Sequence, residues 1–224
     1  MQTSWEKSSK WYNKSVGEHG QYYHQHIIIP NSLKLLNIGH AGDPANSTSI
    51  IDLACGQGIL ARSIPKNINY LGLDISPSLI SEAQKLSKHT FKVADVSKPL
   101  DFIKDKFSHA AILLALQNIE NQSGVIENAS KILVNDGKLL IVLNHPAFRI
   151  PRQSSWQIDP QNKLEYRRIN LYLSPLKIPV KTHPSELSSP ITWSFHHPIS
   201  HYFNLLNQHG FAVTQLEEWT SDKE

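Results

Sequence analysis

A chain of 224 residues with 40% hydrophobic content can bury the core of one compact domain, and its composition excludes the collagenous, fibrous and wholly disordered classes. The net charge of +3, with histidines neutral, is too small to argue for nucleic acid or a membrane surface from the global balance. Cys55 is the sole cysteine, which excludes an intramolecular disulfide and a cysteine-rich zinc site; no metal is expected. The longest apolar run, residues 110–116, is far too short to span a bilayer. The polar N-terminus, with Glu6, Lys7 and Lys10 around Trp5, lacks the pattern of a secretory signal, so the expected location is the cytoplasm.

Residues 1–48 read as a helical lead-in followed by a loop. Ile27, Ile28 and Ile29 with Leu33, Leu35 and Leu36 flank Pro30 and supply one buried face. Residues 39–49 carry Gly, Asp, Pro, Asn and Ser, which marks a linker. From there short apolar strands alternate with helical patterns. Residues 49–55 and 69–74 are predicted as the first two strands. Ser76-Pro77 opens a helix, since Ser caps and Pro fits the first turn, and Leu79, Ile80, Ala83 and Leu86 form its buried stripe. A third strand is predicted over 91–95. A fourth, over 109–116, is apolar throughout, as in a strand covered on both faces. Val125, Ile126, Ala129, Ile132 and Leu133 give the next helical stripe, Gly137 stands where its C-terminus needs a left-handed residue, and 138–144 is a fifth strand. A short helix is also expected over 59–64, directly after Gly58.

This alternation predicts an α/β fold with a mostly parallel sheet and helices on both faces. Residues 146–198, punctuated by proline from Pro146 to Pro198, predict a cap insertion after strand five. A helix ended by Gly210 and a final strand over 211–219 follow. The domain reading is a single unit over 1–224, divided into the lead-in (1–48), the core (49–145), the cap (146–198) and the final helix and strand (199–224).

Ligands of such sheets bind at the carboxyl ends of the strands, where Asp52, Asp74, Asp95, Gln117 and Asn144 fall. Gly56 and Gly58 let the chain turn sharply and let a ligand approach the main chain without a Cβ in the way. A glycine turn is shared by many nucleotide-binding folds, and a tight turn with no ligand competes with it. Asp74, closing strand two, can accept hydrogen bonds from both hydroxyls of a ribose, although a helix-capping Asp is the alternative. Asp95 can accept an exocyclic amine, and a turn residue is the stronger competing reading there.

Taken together, Asp52-Leu-Ala-Cys-Gly-Gln-Gly58, Leu73-Asp74-Ile-Ser76, Val93-Ala-Asp95 and Leu114-Ala-Leu-Gln-Asn-Ile119 resemble the class I S-adenosylmethionine-dependent methyltransferases, and among them the small-molecule type related to ubiquinone and menaquinone biosynthesis. The resemblance is good over residues 48–145 and loose elsewhere. It implies a Rossmann-like fold and S-adenosylmethionine as cofactor. It further implies that Asp52, Ala54, Gly56 and Gly58 border the methionine part, Asp74 holds the ribose hydroxyls and Ile75 packs on adenine. Asp95 faces the adenine amine beside Val96, Leu114 and Ala115 pass close to the cofactor, and Tyr22 and Tyr23 in the lead-in occupy a region that closes over it. Ala54 stands where many members have Gly, and Gln117-Asn118 where relatives often have a His pair. The family pattern ends in an antiparallel hairpin; here one strand is visible, so a shortened chain or an incomplete sheet edge lacking the last strand is expected.

A direct methyl displacement needs orientation and a dry site rather than a covalent nucleophile. If the acceptor loses a proton, His145, His196 and His197 are the candidate catalytic bases, although a structural role is the commoner fate of any one of twelve histidines. The expected partner is a small-molecule acceptor. The cap carries Arg149, Arg152, Lys163, Arg167, Arg168, Lys177 and Lys181 interleaved with Trp156, Tyr166 and Tyr172, which suits an anionic or aromatic small molecule, RNA or a plain solvated surface. A nucleic-acid methyltransferase is the second reading, opposed by the placement of Asn144-His-Pro-Ala-Phe148 after strand five rather than four. A nicotinamide dehydrogenase, with Ala61 where a third glycine would stand, and a non-catalytic S-adenosylmethionine-binding partner protein complete the alternatives.

Overall fold

The computed structural model describes residues 5–38, 48–181 and 189–220. Most of the expected 39–49 linker, Pro184 of the cap and the last four residues lie outside them. Five strands, β1 (Ser49–Leu53), β2 (Asn69–Asp74), β3 (Thr90–Val93), β4 (Phe107–Leu113) and β5 (Leu133–Val142), form one sheet in the order β3-β2-β1-β4-β5, with every pairing parallel. The helices are α1 (Ser9–Val16), α2 (Ile29–Leu36), α3 (Pro77–Leu86), α4 (Gln122–Ile132) and α5 (Ile199–Gln208).

The period-2 alternation of the strands divides the core into two layers. Ile51, Leu53, Leu71, Leu73 and Ile112 pack with Val125, Ile126 and Ala129 of α4 and with Tyr202 and Leu205 of α5. On the other face Ile50, Tyr70 and Ala111 pack with Ile29 and Leu36 of α2 and Ile80 and Ala83 of α3. Burying each large apolar side chain stabilises the fold by roughly 1.5–3 kcal/mol, so both faces of the central strands contribute. The chain runs outward from β1 to β3 and returns to β4 on β1's other side. That makes β1 and β4 border the switch point where an α/β sheet opens a crevice. The cap forms two antiparallel hairpins, β6 (Ser154–Asp159) with β7 (Leu164–Ile169) and β8 (Leu176–Lys181) with β9 (Ile191–His196).

Local expectations hold where the chemistry is local. Ser76 Oγ accepts the Leu79 N–H at 3.2 Å and Pro77 takes the first helical position, so α3 begins as predicted. Three expectations are corrected. The helix over 59–64 is reduced to a 3₁₀ turn, Ala61–Ser63, because Pro65 forces the preceding Ile64 into extended backbone (φ −88°, ψ 131°). Asp136, not Gly137, takes the left-handed conformation (φ 62°); Gly137 is needed for close packing, since a Cβ there would lie 2.9 Å from the Val134 carbonyl. The final strand over 211–219 does not form: among the described residues the segment has no ladder partner, and it exposes Leu216 at 62%. Alternation alone cannot make a strand without an edge that supplies its hydrogen bonds. Among the described residues no helix is long and apolar enough to cross a membrane.

Candidate functional site

The carboxyl ends of β1 and β2 are joined through one carboxylate. Asp74 is buried; its Oδ2 accepts the Gly56 N–H and its Oδ1 the Ser76 N–H, both at 2.9 Å. Burial raises the Asp74 pKa against the lowering pull of those backbone donors. Gly56 and Gly58 both have positive φ (57° and 74°), and a Cβ on Gly58 would lie 2.9 Å from the buried ring of Phe91. Ala54 also sits at positive φ (64°), a strained position for any residue but glycine.

Asp52, on β1, is also buried and lies close enough to Asp74 to feel its charge. Its Oδ2 accepts the Tyr70 hydroxyl at 2.6 Å, while Oδ1 is buried with no hydrogen-bond partner. Burial, opposed by the Tyr70 bond and reinforced by the charge of Asp74, pushes the Asp52 pKa up to about 7. A folded-state pKa above the unfolded value of about 3.9 means the neutral carboxyl's contribution is complete below about pH 4 and is lost as pH rises through about 7. In the ligand-free protein Asp52→Asn should therefore flatten that fall, measured as the melting-temperature difference from the parent between pH 4 and 7.5.

The remaining expected residues line up along the strand ends. Ile75 is half-buried just past Asp74, and Val96 is buried in the layer under α4. Asp95 is half-buried, and its Oδ1 accepts the N–H and hydroxyl of Ser97 (3.0 and 2.6 Å), so it holds its own turn. Leu114 adopts positive φ (54°), donates to the Val142 carbonyl and is followed by half-buried Ala115. Gln117 is locked to the backbone of Asn144, donating from Nε2 to its carbonyl (3.0 Å) and accepting its N–H (2.9 Å), which ties the end of β4 to that of β5.

The lead-in packs across the loops at these strand ends as a strap. Glu6 accepts hydrogen bonds from the Ser76 and Ser78 hydroxyls and from the Ser78 N–H (3.2 Å) at the start of α3. These bonds hold the Glu6 pKa below the usual value. At the other end Arg62 donates to the Gly17 carbonyl (3.1 Å), the Glu18 carbonyl (2.5 Å) and the Gln57 carbonyl (2.6 Å). Between these anchors Tyr12 lies over the glycine turn, its hydroxyl 3.5 Å from where a Gly56 Cβ would stand. Burial, then the charges of Asp74, Cys55 and Asp52, raise the Tyr12 pKa to about 12. Tyr22 and Tyr23, the aromatics singled out from sequence, pack edge to face on each other, and Tyr22 also packs against His26. Tyr12, Glu6 and Arg62 carry no motif; only their contacts reveal them.

The three histidines differ. His145 pairs through Nε2 with Glu218, and its Nδ1 accepts the N–H groups of Ala147 (3.1 Å) and Phe148 (3.2 Å), so both ring nitrogens are engaged. His196 is buried, with Nε2 2.9 Å from the Tyr172 carbonyl. His197 stacks on His201 with centroids 3.8 Å apart, and burial followed by the His201 charge lowers its pKa to about 4. A depressed pKa contributes stability that is present above the unfolded value of about 6.5 and is lost as pH falls towards 4. His197→Gln should reduce the acid sensitivity of the melting temperature across that window, again read as the difference from the parent. Among the described residues no three His, Cys, Asp or Glu side chains group as a metal site.

This fold is the Rossmann-like fold of the class I S-adenosylmethionine-dependent methyltransferases. Residues 51–141 match the family model described as a methyltransferase domain. Solved structures share the fold. A methyltransferase from Mesorhizobium loti is 24% identical, with a TM-score of 0.69 over 88% of this chain and 86% of that one. One from Clostridium acetobutylicum is 16% identical, with a TM-score of 0.58 over 93% and 88%. The glycopeptide N-methyltransferase MtfA, solved with S-adenosylmethionine, is 17% identical, with a TM-score of 0.55 over 84% of each chain. No curated protein matches the chain in sequence.

Proposed function

We propose that the crevice holds S-adenosylmethionine between Asp74, the glycine turn and Tyr12, and that the methyl acceptor is a small molecule. The observation that carries the cofactor pose is the buried, unpartnered Asp52 Oδ1 beside Asp74 and a glycine turn with no Cβ in the way. A buried carboxylate oxygen without a partner is costly, and a ligand's ammonium would satisfy it. Each Asp74 oxygen accepts one backbone N–H and keeps a lone pair for a ribose hydroxyl. Ile75 would pack on adenine, with Asp95 and Val96 at its amine edge and Leu114 and Ala115 along the opposite wall. The cofactor, when bound, supplies the activated methyl group. The chain's own residues orient it, and the strap excludes water.

The acceptor reading rests on the cap. The β8–β9 hairpin is tied to the turn after β4 through Lys177 and Glu120, at 2.7 Å, which brings it over the end of the strand that borders the crevice. One cap cation that could serve a nucleic acid, Lys177, is engaged internally with Glu120. Of the three histidines, His196 alone combines one ring nitrogen anchored on a backbone carbonyl with a second that has no hydrogen-bond partner among the described residues, which makes it the proposed proton acceptor where the acceptor is acidic. The test is turnover of S-adenosylmethionine against a panel of phenolic, quinol and amine compounds beside transfer RNA. Methylation of a small compound supports the reading; methylation of RNA alone, or cofactor binding with no turnover on any acceptor, overturns it.

A further inference from the structure

The β6–β7 hairpin is a two-stranded sheet that exposes apolar residues on both faces, Trp156 (62%) and Ile158 (72%) on one, Leu164 (58%) and Tyr166 (51%) on the other. Hairpins of two strands are marginal in water, and an open edge invites another strand. We propose that the outer edge of β7 is an interface at which a second copy of this chain pairs antiparallel about a two-fold axis, giving a four-stranded sheet shared by a homodimer.

The sequence of β7 selects both the occupant and the register. The Asn170 N–H bonds the Gln153 carbonyl at 2.8 Å, so the hydrogen-bonded pairs with β6 continue at Arg168, Tyr166 and Leu164. The N–H and C=O groups of Glu165, Arg167 and Ile169 therefore point outward. A two-fold axis normal to the sheet keeps each side chain on its own face, so residues meeting across it have the same parity. Two central registers satisfy that rule. One, centred on Arg167, sets a guanidinium against its own copy. The other, centred on Tyr166, pairs Glu165 with Arg167 of the second copy, twice, through outward-facing backbone groups. It also sets Tyr166 against Tyr166 at the closer, non-hydrogen-bonded spacing and lays Leu164 along the aliphatic stem of Arg168. Opposite charges and aromatic pairs directly across strands are favourable, and like charges are not. This self-complementarity argues for a second copy rather than an unrelated partner, and it is independent of the acceptor's identity.

The experiment uses the full chain. Sedimentation velocity should show a reversible dimer. Glu165→Lys should weaken it about tenfold or more by turning two attractive pairs into repulsive ones, and Glu165→Lys combined with Arg167→Glu should restore it. Because Arg167 also contacts the Phe148 carbonyl, a second variant avoids it. Tyr166→Cys places two thiols about 4.5 Å apart in Cα separation across the axis, within disulfide reach, and should give a covalent dimer on mild oxidation. Ile158→Cys on β6 should not, and Cys55 is buried and leaves the background clean. A chain that sediments as a monomer at all accessible concentrations, a dimer indifferent to Glu165→Lys, or equal cross-linking at positions 158 and 166 overturns the proposal.

Discussion

Replacing Asp74 with Ala is expected to weaken S-adenosylhomocysteine binding by about 100-fold or more, measured by titration calorimetry. Hydrogen bonds to a charged group contribute roughly 1.5–3 kcal/mol each, and the proposed pose gives Asp74 two from the ribose; their joint loss corresponds to about two decades in affinity. Asp74 also links the Gly56 and Ser76 N–H groups, so its loss would loosen the turn itself. Asp74→Asn separates the two roles. The amide keeps the shape but turns one acceptor into a donor, so it can serve only one of those two N–H groups. It should bind more weakly than the parent and more tightly than the Ala variant. An Ala variant that is folded and binds with parental affinity would show that Asp74 is only a scaffold for the turn.

Gly58→Val carries the largest expected cost to folding. Its backbone sits at φ 74°, which a β-branched residue adopts with strain, and the first side-chain carbon would meet the Phe91 ring at 2.9 Å and the Ala83 methyl at 3.2 Å. Phe91 and Ala83 are buried in the layer beneath the turn and have nowhere to withdraw. Strain and overpacking each cost about 1–3 kcal/mol, and about 3 kcal/mol in all lowers the melting temperature of a chain of this size by roughly 6–12 °C. Cofactor binding should fall as well, because the shift displaces the Gly56 N–H from Asp74. A melting temperature within a degree or two of the parent would mean that Phe91 yields more readily than its burial implies.

The strap gives these variants a shared context. Tyr12 covers the turn that Gly58 shapes, and Glu6 holds the first turn of α3, which Asp74 also contacts through Ser76. Entry of a cofactor therefore involves contacts that join the lead-in, the first loop and α3, rather than the glycine turn alone.

What the sequence determined by itself was local and periodic. Short apolar runs placed the five strands, because a strand buried on both faces can be built from little else, and the Ser76-Pro77 pair fixed the start of α3 through one side-chain bond and one preset dihedral. Asp52, Asp74 and the two glycines were legible because their spacing after strand ends follows from parallel topology. Tertiary structure alone decided the rest, since it depends on which groups meet across long stretches of chain. Residues 211–219 alternate like a strand yet find no edge to pair with. Tyr12 rather than Tyr22 reaches the glycine turn because Glu6 and Arg62 anchor the strap at each end. The oxygen left unpaired on Asp52 arises only when Tyr70, on the neighbouring strand, takes the other. Periodicity reports which face a residue turns to the core; it is silent on the partner that waits there.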